Sequence, residues 1–102
     1  MKDDETFRIC RHLDDVQPVT PDSPDACPEC VAQGDTWVHL RECQSCGHVG
    51  CCDSSENKHA TAHFAASGHP LIRSFEKGES WWWCYVDQVS FDVEGALPVR
   101  PV

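Results

Sequence analysis

The chain has 102 residues, of which 40% are hydrophobic and 9% aromatic, and it carries a net charge of −9. This length amounts to one domain, and one too short to bury a large apolar core. The acidic balance, with Lys and Arg scattered along the chain, lacks the basic footprint that a phosphate backbone demands, so nucleic acid is not an expected partner.

No apolar run is long enough to span a membrane. The opening M-K-D-D-E-T has no apolar signal-peptide core. A cytoplasmic, reducing location is therefore expected, where eight cysteines and six histidines favour metal thiolates over disulfides. A monomer is expected.

Residues 1–9 read as a polar lead-in, residues 10–91 as the folded domain and 92–102 as a tail that trails off. Cys10-Arg11-His12 is the first candidate ligand pair. The proline- and acid-rich stretch 14–26 reads as a loop between ligand clusters, a connection whose closure entropy grows only slowly with length. Cys27-Pro28-Glu29-Cys30 is a C-x-x-C knuckle. Residues 36–42, containing Trp37, Val38 and Leu40, read as a strand. Cys43–Cys46 is a second knuckle, and 47–51 returns from it as a strand.

Ser54 or Ser55 is placed to cap a helix over about 55–67, with Glu56 in its first turn, Gly68 just past its end and Pro70 beyond. Pro70–Phe75 is a further strand, Glu76-Lys77-Gly78-Glu79 a turn, and Trp81–Val86 the strongest strand of all. In that last segment the three consecutive tryptophans must alternate between sheet faces. An exposed ring there would mark a binding surface.

Zinc takes four nitrogen or sulfur ligands in tetrahedral array, and each C-x-x-C turn supplies two of them. The spacing of the two knuckles, Cys27/Cys30 and Cys43/Cys46, permits a single ion shared as a four-cysteine ribbon. That arrangement leaves Cys51, His59, His63 and His69 without a role, so a two-site scheme ranks higher. His59 and His63 are one helical turn apart. Spacing alone does not decide whether they hold one ion or two. His39 reads as a surface residue, His48 as bonded to the backbone of its own turn, and Cys52 as a buried, inert thiol.

The motifs C-x-x-C-G-H-V-G-C from Cys43, H-A-x-x-H-x-x-x-x-G-H-P-L from His59 and W-C-Y-V from Trp83 resemble the UBP-type zinc finger. That domain occurs in ubiquitin-specific proteases and in a cytoplasmic deacetylase. The likeness runs from Cys10 to Val89 and has the look of a stand-alone bacterial member. It implies a small α+β zinc-stabilised fold: a twisted antiparallel sheet of about five short strands with one main helix packed on it. It also implies interleaved ligand sets. Cys27, Cys30, Cys51 and His59 would hold one ion, Cys43, Cys46, His63 and His69 a second, and Cys10, His12, Cys84 and residue 87 a third.

The sequence departs from the family at three places. Asp87 stands where three-zinc members have cysteine; a carboxylate can ligate zinc, but more weakly. Cys51-Cys52-Asp53 replaces the usual C-G-R, whose arginine clamps the free carboxylate of ubiquitin in ubiquitin-binding members. The connection from Trp37 to Cys43 is longer. Trp37 and Tyr85 match the aromatic positions that line the tail-binding groove.

The expected function is thus a non-catalytic zinc-binding module that recognises a protein or peptide C-terminal tail, with ubiquitin binding disfavoured by Asp53. A thiol redox protein using Cys51-Cys52 or a C-x-x-C pair is the alternative. A zinc hydrolase at Cys10, His12 and Cys84 is a remoter one.

Overall fold

The structure is a computed structural model and describes residues 19–93 and 97–100. In chain order these form α1 (Pro28–Gln33), β1 (Leu40–Cys43), β2 (Val49–Cys51), α2 (His59–Ser67), β3 (Leu71–Ser74), β4 (Trp82–Cys84) and β5 (Val89–Phe91). The five strands make one antiparallel sheet in the order β2-β1-β3-β4-β5. The α+β architecture anticipated from the sequence is the one observed.

The elements are short, and local chemistry ends each of them. The Cys27–Cys30 segment is more than a knuckle: it is the first turn of α1, with Pro28 at the helix start and Gly34 closing it in a left-handed conformation at φ 76°. Helix α2 begins four residues later than the expected position 55. Ser55 is not its cap; its hydroxyl instead accepts the Val38 N–H at 2.8 Å, and the side chain is buried. The residue before the helix, Lys58, is left-handed and offers no side-chain cap. The first helical N–H, that of His59, is met by Cys51 Sγ at 3.1 Å. A thiolate there suits the positive end of the helix, so a metal-site atom performs the capping that the sequence assigns to serine.

Helix α2 buries only His59 and Ala60. It lies close on β2 because position 50 is glycine. A Cβ on Gly50 would stand 2.8 Å from the Ala60 nitrogen and 2.9 Å from His48 Cε1. Gly50→Ala is therefore expected to push the helix off the sheet and to cost about 1–3 kcal/mol, readable as a lowered denaturation midpoint of the zinc-loaded protein.

The apolar interior comes in two parts. Cys27, Cys30, Leu40, Val49, Cys51 and Phe75 form one cluster, with Trp37 and Val99 packed against it. Leu71, Trp82, Cys84 and Phe91 form the other, flanked by Val89 and Val93. Half of the first cluster is cysteine.

Residues 97–100 do not trail off as expected. Arg73 donates to the Leu97 carbonyl, Gly78 N–H to the Arg100 carbonyl at 2.9 Å, and Arg100 Nη1 to the Phe75 carbonyl at 3.2 Å. Val99 was too short an apolar signal to announce this in the sequence. No helix among the described residues is long and apolar enough to cross a membrane.

Candidate metal centres and a groove beside them

Two clusters of cysteine and histidine stand among the described residues, Cys27/Cys30/Cys51/His59 and Cys43/Cys46/His63/His69. In each, the four donor atoms lie within 4.8 Å of one another. Metal–sulfur bonds of about 2.3 Å and metal–nitrogen bonds of about 2.0–2.1 Å imply tetrahedral edges of about 3.8 Å between sulfurs and about 3.5 Å from sulfur to nitrogen. In the first cluster Cys30 and Cys51 Sγ are 3.8 Å apart. His59 Nδ1 stands 3.2, 3.4 and 3.5 Å from Cys27, Cys30 and Cys51. The second has Cys43 Sγ 3.5 Å from His69 Nδ1 and Cys46 Sγ 3.3 Å from His63 Nε2.

These separations fit a tetrahedral ion and are far too long for a disulfide, whose sulfurs sit about 2 Å apart. All seven described cysteines are free thiols.

The crossing is physical. His59 and His63, one turn apart on α2, face different clusters, so one helix joins both. The four-cysteine ribbon is not what the fold assembles, because Cys27/Cys30 and Cys43/Cys46 belong to separate groups.

The first cluster is wholly buried; the second has Cys46 exposed and both histidines half-buried. Burial pushes the Cys30 thiol up to about 12 despite a hydrogen bond from Asn57, and burial also raises Cys43. Burial and the nearby His48 and His69 lower His63, keeping its ring neutral and ready to bind a cation.

Outer contacts hold the ligands in place. Asn57 Nδ2 donates to Cys30 Sγ at 3.7 Å and Ser45 N–H to Cys43 Sγ at 3.4 Å. The Gln33 side-chain amide lies 3.5 Å from His59 Nε2. With Nδ1 on a metal, Nε2 carries the proton, and the amide must turn its oxygen toward the ring, in place of the amide Nε2 that faces it, to accept that proton. Nothing in the sequence singled out Gln33 or Asn57, since both act through the fold.

His48 does not bond its own turn as expected. Its Nε2 lies 2.7 Å from Glu29 Oε1, and its ring stacks on His63 at 4.1 Å between centroids. A carboxylate brought in by α1 outcompetes the local backbone. His39 is exposed.

The proposed third set is only half in view, since Cys10 and His12 lie outside the described residues. Cys84 is buried, and its Sγ and Asp87 Oδ2 are 3.7 Å apart.

On one face of the sheet a groove of about 500 Å³ is lined by Arg41, Ile72, Trp81, Trp83 and Tyr85, with Cys52, Asp53 and Ser54 from the loop after β2 and Ser90 from β5. Register explains its floor: Ile72 pairs with Trp83 and Trp83 with Ser90, and directly paired residues share a face. Trp82, on the other face, is buried near Phe91.

Tyr85 lines this groove. Its ring stacks on Phe64 of α2 at 4.7 Å and meets Trp83 edge-on at 89°. Trp37 does not line it; it packs against the first core cluster. Arg41, read from the sequence merely as one scattered cation, lies over the Trp81 ring at 4.5 Å. Burial raises Cys52, but hydrogen bonds from Ser55, Ser54 and His39 and the charge of Arg41 outweigh it and bring the thiol to about 7.

The family model described as "Zn-finger in ubiquitin-hydrolases and other protein" matches residues 27–94, which contain both complete clusters. The chain belongs to the UBP-type zinc-finger family. Among solved structures it is similar to protein RPA1320 from Rhodopseudomonas palustris, determined by solution NMR, with 49% sequence identity and a TM-score of 0.79. That alignment covers 91% of this chain and 92% of the other. No curated protein matches. The family is one of zinc-finger binding modules, and the two clusters of this UBP-type finger are zinc-compatible sites.

Proposed function

We propose that this UBP-type finger is a non-catalytic recognition module, working in a reducing compartment such as the cytoplasm, whose sheet groove binds a peptide segment of another protein. The observation that carries this is the separation of groove from metal. The aromatic groove is lined by none of the eight cluster residues, and each cluster already supplies four donors. A zinc ion with four protein ligands has no open position at which to activate water or substrate. The same closure argues against the dithiol alternative, because both C-x-x-C pairs, and Cys51 of the Cys51-Cys52 pair, stand at metal-ligating distances.

Ubiquitin is a poor candidate for the partner. Asp53 lines the groove with a carboxylate, and in ubiquitin-binding relatives an arginine at this position clamps a carboxylate. The test is titration of the zinc-loaded protein with a peptide of the ubiquitin C-terminus. Weak or no binding is expected for the natural chain. Asp53→Arg should raise affinity on the order of tenfold or more, since it replaces a repulsion by a charge-assisted pair. No gain on this substitution would show that the groove is not a tail site.

A further inference from the structure

Arg41 and Asp53, the guanidinium and the carboxylate of the groove, are differently situated, and the difference points to the kind of side chain it selects. Arg41 is already committed. Its guanidinium lies on the Trp81 ring, and its Nη1 donates to the Leu40 carbonyl at 2.8 Å. Asp53 is exposed, and the hydroxyl of Thr61, a neutral group, donates to it. The Thr61 and Tyr85 hydroxyls lie 3.2 Å apart, so Thr61 ties the carboxylate to the aromatic wall.

Beside Asp53 stand two rings at right angles, Trp83 and Tyr85, with centroids 6.5 Å apart. Phe64 covers one face of Tyr85, which leaves the ring's other side for the groove. Perpendicular aromatic walls beside a carboxylate are the elements of a cation site, because ring faces and carboxylate attract positive charge together. The third ring, Trp81, already has a guanidinium on it, so the wall demonstrably accepts that chemistry. The net charge of −9 further favours the approach of basic partners over acidic ones.

We propose that the groove takes a lysine or arginine side chain of a partner protein, seated on Trp83 and Tyr85 with its charge on Asp53. Arg41 is the internal rival for the same aromatic row. The inference deepens the reading of the groove as a peptide site and rests on it.

The test uses the zinc-loaded, nitrogen-15-labelled protein and short capped peptides, Gly-Gly-Lys-Gly-Gly, its Arg and Glu counterparts, and pentaglycine amide with a free amino terminus. The indole N–H signals of Trp81 and Trp83 report on the groove. The lysine and arginine peptides should shift Trp83, and the glutamate peptide should not. Asp53→Asn should weaken the lysine peptide about three- to tenfold, the range of one exposed charge pair with its aromatic support. Arg41→Gln should bind the lysine peptide at least as well as the natural chain.

Tighter binding of the glutamate peptide, a loss on Arg41→Gln, or an unaltered Asp53→Asn would overturn the charge assignment while leaving the groove a peptide site. Response to the free amino terminus alone would overturn the choice of a side chain. If no peptide of any charge moves the groove signals, the peptide-site reading falls along with it.

Discussion

Removing metal from this protein is expected to unfold it, and in two stages. A structural zinc contributes roughly 10 kcal/mol or more to the folding of small zinc-finger systems, which is comparable to the whole net stability of an ordinary domain, about 5–15 kcal/mol. The interior of this chain offers little in reserve. The largest fully buried side chains are Phe75, Leu40, Leu71 and Val49, followed by cysteines. Three of those thiols, Cys27, Cys30 and Cys51, converge with His59 in the first core, so without an ion polar sulfur stands where a larger protein would have leucine.

The order of loss follows from exposure. The second cluster has Cys46 at the surface and half-buried histidines, while all four ligands of the first are buried. A chelator added at neutral pH should strip the second cluster first, freeing the C-terminal half of α2 through His63 and His69. Only loss of the first cluster, whose Cys51 also caps α2 and pairs with Leu40 in the sheet, should abolish the fold. Zinc release followed with a metallochromic dye, alongside backbone circular dichroism, resolves the two stages. A chain that keeps its circular dichroism after both ions have gone would refute the account.

The sequence disclosed the two Cys/His clusters better than the shape, for a physical reason. A metal site requires particular elements at particular spacings, and C-x-x-C and the His59/His63 pair state that requirement in plain residues. The crossing of the pairs, by contrast, came from resemblance; spacing allowed a four-cysteine ribbon equally well.

Short strands carry weak signals. β5 has three residues, and the pairing of Val89–Phe91 with β4 is fixed by tertiary context. Alternation through Trp81–Trp83 gave the split of rings between faces, but not which face would be covered. Helix α1 was legible in principle, from Pro28 at its start and Gly34 after its end. Its six residues are too few to show apolar periodicity. Arg41 could not be assigned to the groove, because doing so needs the register of β1 against its neighbours, which turn geometry and packing set together.

Acid should release zinc from the two clusters with different steepness. A thiol binds metal only as thiolate, so each one that is protonated at the working pH must give up its proton on binding. An ordinary cysteine has a pKa of about 8.5. Burial moves Cys30 to about 12 and Cys43 upward as well, so inside the fold only a metal displaces their protons at neutral pH. The sign follows: a raised thiol pKa means the proton competes better, and the metal-bound state is favoured at high pH and lost as pH falls.

The first cluster has three thiols and the second two. The apparent zinc affinity of the first should therefore fall about a thousandfold per pH unit, and that of the second about a hundredfold, since each displaced proton contributes a factor of ten, or about 1.4 kcal/mol. The pKa of His63 is lowered, so that ring adds no proton of its own at neutral pH, which is where the two slopes are to be compared. Competition against a chelator of known pH response, read separately for the two ions, measures both slopes. Equal slopes would mean that the thiols are not divided three and two between the sites, and slopes near zero would mean that sulfur is not what grips the metal.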